Sequence, residues 1–412
     1  MIEIEALFTE ALGIKAPWKI TSLAFDSVKK RLDIQVDFER GTTFEYEDPE
    51  TGEKENYKAY DTVDKTWRHL NFFEHECYLH ARVPRVKPKN GGIKMILPPW
   101  SGHANGFSLL FEALILQLCR NTPVDQVAQI LNISNHRLWN VMDRYVEMCL
   151  QEADYGEVDA IGADETSMKK GHNYISLFVD LKEKKTIYVA EGKDHTTVTN
   201  IVKDFEIHGG KKESIKDVSC DMSPAFIKGI TQELPNAKIT FDKFHILKKI
   251  NEAVDEVRRS EVKFNPILKG TRYTFLKNNY NLTVKQREEK ESLSKLNLKT
   301  MKALHIRENF QEIYKADTFE DFKLLLKKWY FWASHSRIAP ILKVAKMIKN
   351  HWDGILQWKE SQINNGILEG LNSVIQAAKK KAKGYKFKHF RTVAFLLTGK
   401  LNLRRFNPYL PT

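Results

Sequence analysis

Cysteine is scarce in this chain of 412 residues: Cys77, Cys119, Cys149 and Cys220 are the only four, far apart and without a C-x-x-C pair. A disulfide framework and a zinc knuckle are both unsupported, because each needs thiols in paired spacing. In residues 1–96 the other soft ligands are His69, His75 and His80, and structural zinc usually takes four ligands in close pairs, so no zinc is expected. Long apolar runs are missing too. Nothing approaches the roughly 18 residues of a membrane helix, and no charged leader with an apolar segment opens the chain. The expected compartment is the cytoplasm, with no membrane partner. Acid is absent from residues 82–94, which carry Arg82, Arg85, Lys87, Lys89 and Lys94, and from residues 376–404, which carry nine Lys and Arg.

Positive charge and length are what the chain has in excess. A formal net charge of +12 and a pI near 9.2 favour an anionic partner. The length exceeds what one hydrophobic core supports, so two to four domains are expected. The charge is uneven: residues 1–76 hold 10 basic and 17 acidic side chains, residues 151–242 hold 12 and 17, and residues 243–350 hold 24 and 12. An acidic centre with basic arms suits metal chemistry on a polyanion.

Residues 20–47 alternate apolar and polar, with Leu32, Ile34, Val36 and Phe38 in step, and read as a hairpin or meander. Residues 82–94 are either a basic strand and linker that follows a phosphate backbone or a solvated connector. Helical periodicity starts at Phe107. Phe107–Cys119, Pro123–Leu131 and Asn135–Val146 read as three helices, with Asn132 in a tight turn and Ser134 as a cap. Their spacing is that of a helix-turn-helix, whose exposed side would offer Asn135, His136, Arg137, Asn140 and Arg144 to a major groove. A helical hairpin of this shape also serves folds that bind nothing.

Residues 156–242 alternate strands and helices. Val158–Ala163, Tyr174–Leu181 and Thr186–Ala190 read as antiparallel strands joined at His172-Asn173 and Lys182–Lys185. A helix over Thr197–Phe205, a strand ending at Asp221, a helix over Ala225–Leu234 and a strand Lys238–Phe241 follow. Residues 243–360 show no strand alternation and read as helical, basic and aromatic, with Trp329, Tyr330, Phe331, Trp332, Trp352 and Trp358 as their core. Thr283–Glu291 is too charged to bury, and reads as a loop or exposed helix. A last helix runs Phe390–Leu401.

Three acids stand at the ends of these elements. Asp164 closes an apolar run, Asp221 tips a strand before Pro224, and Glu369 opens a helix. At about 100° per residue, Leu368, Leu371, Val374, Ile375, Ala378 and Ala382 share one side of that helix. Glu369, Asn372, Ser373, Gln376, Lys380 and Lys383 share the other. Any one acid alone reads as a solvated surface group. Three together are hard oxygen ligands for two divalent cations about 4 Å apart, the arrangement that phosphoryl transfer uses.

With these residues laid out, the chain resembles bacterial insertion-sequence transposases of the DDE type, in the ISL3 family. The resemblance rests on Asp-Glu-Thr-Ser at 164–167, Cys-Asp-Met-Ser at 220–223, Phe-Asp-Lys-Phe-His at 241–245 and Leu-Glu-Gly-Leu-Asn at 368–372. It runs from about residue 105 to 400. It implies an α/β fold, with a ribonuclease H-like catalytic core interrupted by a large all-α insertion. Asp164, Asp221 and Glu369 would be the catalytic, metal-holding triad, with two Mg²⁺ or Mn²⁺ ions. Asp242, His245 and Asn372 would support the site, His245 either orienting a phosphate or capping and packing a helix. Lys380, Lys383 and Lys386 would join the helix-turn-helix in contacting DNA. The partner would be double-stranded DNA, as terminal inverted repeats and target, bound by a homodimer because two ends must meet, in the bacterial nucleoid. At the N-terminus the chain departs from the family, which usually places zinc-binding cysteine pairs there.

The expected division is a small β-rich domain at 1–96, the helix-turn-helix region at 97–151, a first part of the core at 152–247, the helical insertion at 248–360 and the last part of the core at 361–412. Two rival functions follow from the same residues. A ribonuclease H-like nuclease or resolvase would cleave without joining, and a catalytically inactive DNA-binding regulator would bind without cutting.

Overall fold

Alternation along residues 31–38 puts Leu32, Ile34, Val36 and Phe38 on one face, and all four are buried. A run of that period has a ready partner only in another strand. The computed structural model describes residues 4–49, 51–89, 91–167, 174–192, 194–363 and 366–411. The chain opens with α1 (Ile4–Leu12), β1 (Trp18–Asp26), β2 (Arg31–Phe38), β3 (Thr43–Glu47), β4 (Lys54–Lys58), β5 (Asp61–Phe72), β6 (His75–Val86) and β7 (Lys94–Met95). The sheet runs β1-β2-β6-β5 with β7 on β6, while β3 and β4 pair separately. β1 and β2 form the expected hairpin, but β2 then pairs parallel to β6, so the sheet is not a meander.

The basic stretch 82–94 is not a free arm. Arg82 Nε lies 2.9 Å from Asp37 Oδ2, Arg85 Nε 2.6 Å from Asp61 Oδ1 and Lys89 Nζ 2.8 Å from Glu55 Oε1. The acidic excess of residues 1–76 answers these charges within the fold. Three of the four soft ligands of this region have protein surroundings, while His75 Nδ1 is buried without a hydrogen-bond partner. Cys77 is buried in the sheet core, His69 Nδ1 lies 2.8 Å from Ser108 Oγ, and His80 lies between Thr66 and Asp33.

Three helices follow: α2 (Leu109–Asn121), α3 (Val124–Leu131) and α4 (Asn135–Gln151). Ser108 caps α2 by accepting from Phe111 N–H. Asn132 ends α3 in the left-handed region at φ 52°, as the sequence suggested. Ser134 takes the N-cap position of α4 but makes no capping bond, contrary to expectation. The Glu112 side chain on α2 is fully buried and accepts from His103 N–H, Ala104 N–H and Tyr145 O–H at 2.9, 2.7 and 2.8 Å. Gly102 is obligatory beside it, since a Cβ there would lie 2.3 Å from Glu112 Cδ.

From Ala160 the chain makes β8 (Ala160–Ser167), β9 (Tyr174–Asp180), β10 (Lys185–Glu191), α5 (His195–Ile207), β11 (Asp217–Cys220), α6 (Pro224–Glu233) and β12 (Lys238–Phe241). The turn expected at His172-Asn173 lies outside the described residues. The sheet order is β10-β9-β8-β11-β12. Its first three strands are antiparallel, and β11 pairs parallel to both β8 and β12.

Helices alone fill the next stretch: α7 (Lys243–Glu261), α8 (Arg272–Leu276), α9 (Val284–Ser294), α10 (Lys299–Ile313), α11 (Phe319–Ser334), α12 (Ala339–Asn350) and α13 (Trp352–Ser361). α9, the charged stretch, is an exposed helix held by a Thr283–Gln286 capping box. The aromatic residues divide: Trp329 is buried and donates to Ile306 C=O, whereas Phe331 is 66% exposed. One continuous hydrophobic cluster joins these helices to the β8–β12 sheet. α14 (Gly366–Lys381) and α15 (Phe387–Thr398) complete the order.

Two compact units result. One comprises residues 1–152, 378–397 and 401–412, and the other residues 153–377 and 398–400. Within the first, α15 packs on α4. The His389 ring stacks on Trp139 at 3.8 Å, Lys388 pairs with Asp143 at 2.7 Å, and Arg391 pairs with Glu147. Among the described residues no helix is long and apolar enough to cross a membrane.

Replacing Glu112 by Ala strands three donors, those of Ala104 and Tyr145 buried, and should cost roughly 3 kcal/mol of unfolding free energy. Urea denaturation of the full chain measures it, with Glu112→Gln, which keeps an acceptor, expected to lose less.

Candidate active site and nucleic-acid interface

The site follows from register. β8 and β11 pair Ala160 with Asp217, Ile161 with Val218 and Gly162 with Ser219, while β11 and β12 pair Asp217 with Lys238 through Cys220 with Phe241. Carried on without a slip, the same register sets Asp221 beside Asp164 and Asp242 beside Asp221. Asp242 N–H donates to Cys220 C=O at 3.1 Å, which fixes the last of these positions. Three aspartates thus stand level on three neighbouring parallel strands, Asp164 within β8 and Asp221 and Asp242 directly after β11 and β12. Pairing also fixes the face. Ile161, Ala163, Val218, Cys220 and Phe241 point into the main core, so the acids, at alternate positions, point to the opposite side.

That side is where α14 lies. Gly162 admits it: a Cβ there would come within 2.9 Å of Leu368 Cδ2, and Leu368 packs with Val179 and Leu181. One turn on, Asn372 Nδ2 donates to Asp164 Oδ2, and a further turn on Gln376 Nε2 donates to Thr166 Oγ1 at 2.6 Å. Helix and strand are thereby locked level by level, every fourth residue of α14 meeting every second residue of β8. The apolar stripe is narrower than the helical wheel suggested. Leu368 and Ile375 are buried, but Val374 is 47% exposed, and Lys383 falls beyond the helix at φ 58°.

The electrostatics reflect the crowding. Burial, with Asp221 and Asp242 adding like charge, pushes the Asp164 carboxyl up to about 6, against the opposing pull of His245 and of Glu165 N–H. Asp221 accepts from Ser223 N–H at 2.9 Å. Asp242, only 6% exposed, caps α7 by accepting from Phe244 N–H, and its second oxygen lies 2.8 Å from His245 Nδ1. That bond raises the His245 pKa above its ordinary value, helped by the charges of Asp242, Asp164 and Asp221.

The structure therefore brings Asp164, Asp221, Asp242, His245 and Asn372 together. Glu369 shares α14 with Asn372, one turn earlier, but its side chain is exposed. Among the described residues no three His, Cys, Asp or Glu side chains close around a single point. The donors present are nonetheless those a hard cation takes: carboxylate oxygens and the Asn372 Oδ1 atom, which is buried with no hydrogen-bond partner. Asp242 in the row was signalled in sequence by the pattern of the other two strand-end acids, an apolar run closing on Asp. The partnership of Gln376 with Thr166 had no such signal.

On the helix-turn-helix, Leu138, Val141 and Met142 are buried in the core. The five polar residues expected at the groove, Asn135, His136, Arg137, Asn140 and Arg144, are all exposed, and several of them also make contacts within the fold. Arg137 lies over the Phe107 ring at 3.9 Å and donates to Gly106 C=O, and Asn135 donates to Asp125. His136, Asn140 and Arg144 remain as an exposed stripe at helical spacing on α4. Lys380, Lys383 and Lys386 are exposed as well.

Comparison with known proteins agrees with both regions. A family model described as a transposase, of the DDE type and ISL3 group, matches residues 161–394, and one described as the helix-turn-helix domain of transposase family ISL3 matches residues 96–146. The transposase for insertion sequence element IS1001 of Bordetella parapertussis is 25% identical over 340 residues, covering 80% of this chain and 83% of the relative. The transposase for insertion sequence element IS1557 of Mycobacterium tuberculosis is 24% identical over 377 residues, covering 84% and 83%. With the first model spanning more than half of the residues, and with acids and recognition helix in place, the chain belongs to the ISL3 family of DDE transposases, enzymes that cleave and join DNA.

Proposed function

We propose that Asp164 and Asp221, completed by Glu369, hold two divalent cations, Mg²⁺ or Mn²⁺, at the end of a ribonuclease H-like sheet, and that strand cleavage and transfer take place there. The observation that supports this reading is the parallel register of β8, β11 and β12, which, carried on past its last pairs, sets the aspartates level on the face where Asn372 of the Glu369 helix meets Asp164. The bound ions would supply Lewis acidity at the attacking and leaving oxygens. The protein's part is positioning. Asn372 and Gln376 fix the height of α14 on β8, and so the level at which Glu369 meets the row. Asp242 commits Nδ1 of His245, which leaves Nε2 as that ring's remaining donor for a phosphate oxygen. His136, Asn140 and Arg144 read base edges in the major groove, and Lys380, Lys383 and Lys386 follow the phosphate backbone. Two ends have to be joined, so the working form is a homodimer on DNA.

The decisive experiment incubates the protein with duplexes bearing candidate element ends, a target plasmid and Mg²⁺. Joined products are expected; cuts without joining would favour a nuclease. In that assay Asp164→Asn, Asp221→Asn and Glu369→Gln should each lower strand transfer by ~100-fold or more while DNA binding persists, because each keeps shape and removes a hard anionic ligand. Near-normal turnover in one of them removes that residue from the triad.

The Asp164 environment gives a stability prediction in metal-free buffer. A carboxyl whose folded pKa is raised favours the folded state fully below its ordinary value of 3.8, and that contribution is lost as pH rises through about 6. Asp164→Asn should therefore melt higher than the wild type above this range, by on the order of 2 kcal/mol, and show no advantage in acid. Thermal melts across pH check it, and Mg²⁺ should raise the wild-type Tm but not the variant's.

Neutralising Lys380 and Lys386 together should reduce the slope of log K against log salt by about 0.9 for each phosphate that the variant no longer neutralises. A titration of binding against salt reads it directly, and an unchanged slope places both lysines off the DNA.

A further inference from the structure

Next to the acid row a cavity of about 410 Å³ opens, walled by Asp242, Lys243, Phe244, Trp358, Lys359 and Gln362. Its two sides are pinned to the sheet. Phe244 stands on the first turn of α7, whose cap is Asp242 itself. Trp358 stands on α13, which is seated on β12. Gly354 of that helix lies so close to Phe241 that a Cβ would come within 2.4 Å of the ring, and Ser361 Oγ lies 3.0 Å from Thr240 Oγ1. Lys243 is fixed as well, its Nζ lying 4.5 Å from the Tyr314 ring centroid and 5.5 Å from that of Trp358. Its burial lowers its pKa. Phe244 remains 49% exposed although it stands at the rim of a buried acid.

We propose that this cavity takes one unpaired nucleotide adjoining the scissile phosphate, its base against Phe244 and Trp358 and its phosphate toward Lys243 and Lys359. The inference rests on the acid row being the reaction centre. Aromatic walls stack any base through its π face, and fixed ammonium groups select an anion over a neutral ring. Gln362 adds an amide able to pair with a base edge. A base inside duplex cannot enter a walled cavity, so the occupant must be unstacked first. Phe244 also lines a second cavity, of about 650 Å³, whose walls mix Lys248, Arg272, Lys277 and Arg307 with Glu252 and Asp255.

The test uses the full chain and two sets of duplexes, blunt or ending in a short single-stranded tail, with 2-aminopurine at successive positions around the junction. Tailed duplexes should bind about tenfold tighter than blunt ones, and one labelled position should change its emission relative to free DNA. Phe244→Ala should lose both effects and Phe244→Tyr should keep them; the half-exposed position makes either change safe for folding. Equal affinity for blunt and tailed duplexes in the wild type overturns the proposal, as does a preference that survives Phe244→Ala. Mg²⁺-dependent cutting, followed in parallel, separates the two readings. Cutting without tail preference sinks the cavity alone, whereas tail preference without cutting supports the cavity and sinks the catalytic role of the row.

Discussion

Like charges resist being placed side by side, and the parallel register of β8, β11 and β12, carried on past its last pairs, sets three carboxylates side by side. Much around the site answers that repulsion. Asn372 turns its amide donor to Asp164, Ser223 gives its N–H to Asp221, and Asp242 divides its oxygens between the first turn of α7 and His245. Burial, more than the neighbouring acids, keeps the Asp164 carboxyl raised. A sheet edge left short of positive charge is a place where a cation is stabilising, and the unpartnered Asn372 oxygen points to the same need.

The unit that carries the helix-turn-helix solves a different problem, which is to hold α4 rigid while one of its faces stays exposed. Its inner side is closed by the Glu112 hub, to which Tyr145 of α4 donates. α15 grips a second side through Asp143, Glu147 and the Trp139–His389 stack. Arg137 is held on Phe107 near the start of α4, which leaves that helix fewer free cations than its composition suggests. Rigidity here comes from side chains that a composition count would assign to recognition.

Much of this was legible in the sequence, and the reason is local. The strands after residue 160 and the helices after residue 243 follow from period alone, since alternating and 3.6-residue patterns require different neighbours. The row of acids was half legible. Each Asp closes an apolar run, but only the register between strands says that they share a level and a face, and register depends on residues far away in the chain. Residues 82–94 were open to two readings for a related cause: a basic side chain reads the same whether its partner is a phosphate or Asp37. The α15 contacts were illegible because Trp139 and His389 are ordinary residues until they are stacked.

The bond between Asp164 and Asn372 joins residues separated by 208 positions. Between them the ribosome must make the rest of the sheet and all seven helices from α7 to α13, which share one hydrophobic cluster with it. At about 10 residues per second this takes some 20 s, during which the aspartates can already be paired across β8, β11 and β12 while Glu369 does not yet exist. The last strand-edge contacts, Thr398 on Thr186 and Lys400 on Glu183, come later still. The order of the elements thus brings α14 late to the sheet, and a transcript broken before it yields a protein without the Asp164–Asn372 and Thr166–Gln376 bonds.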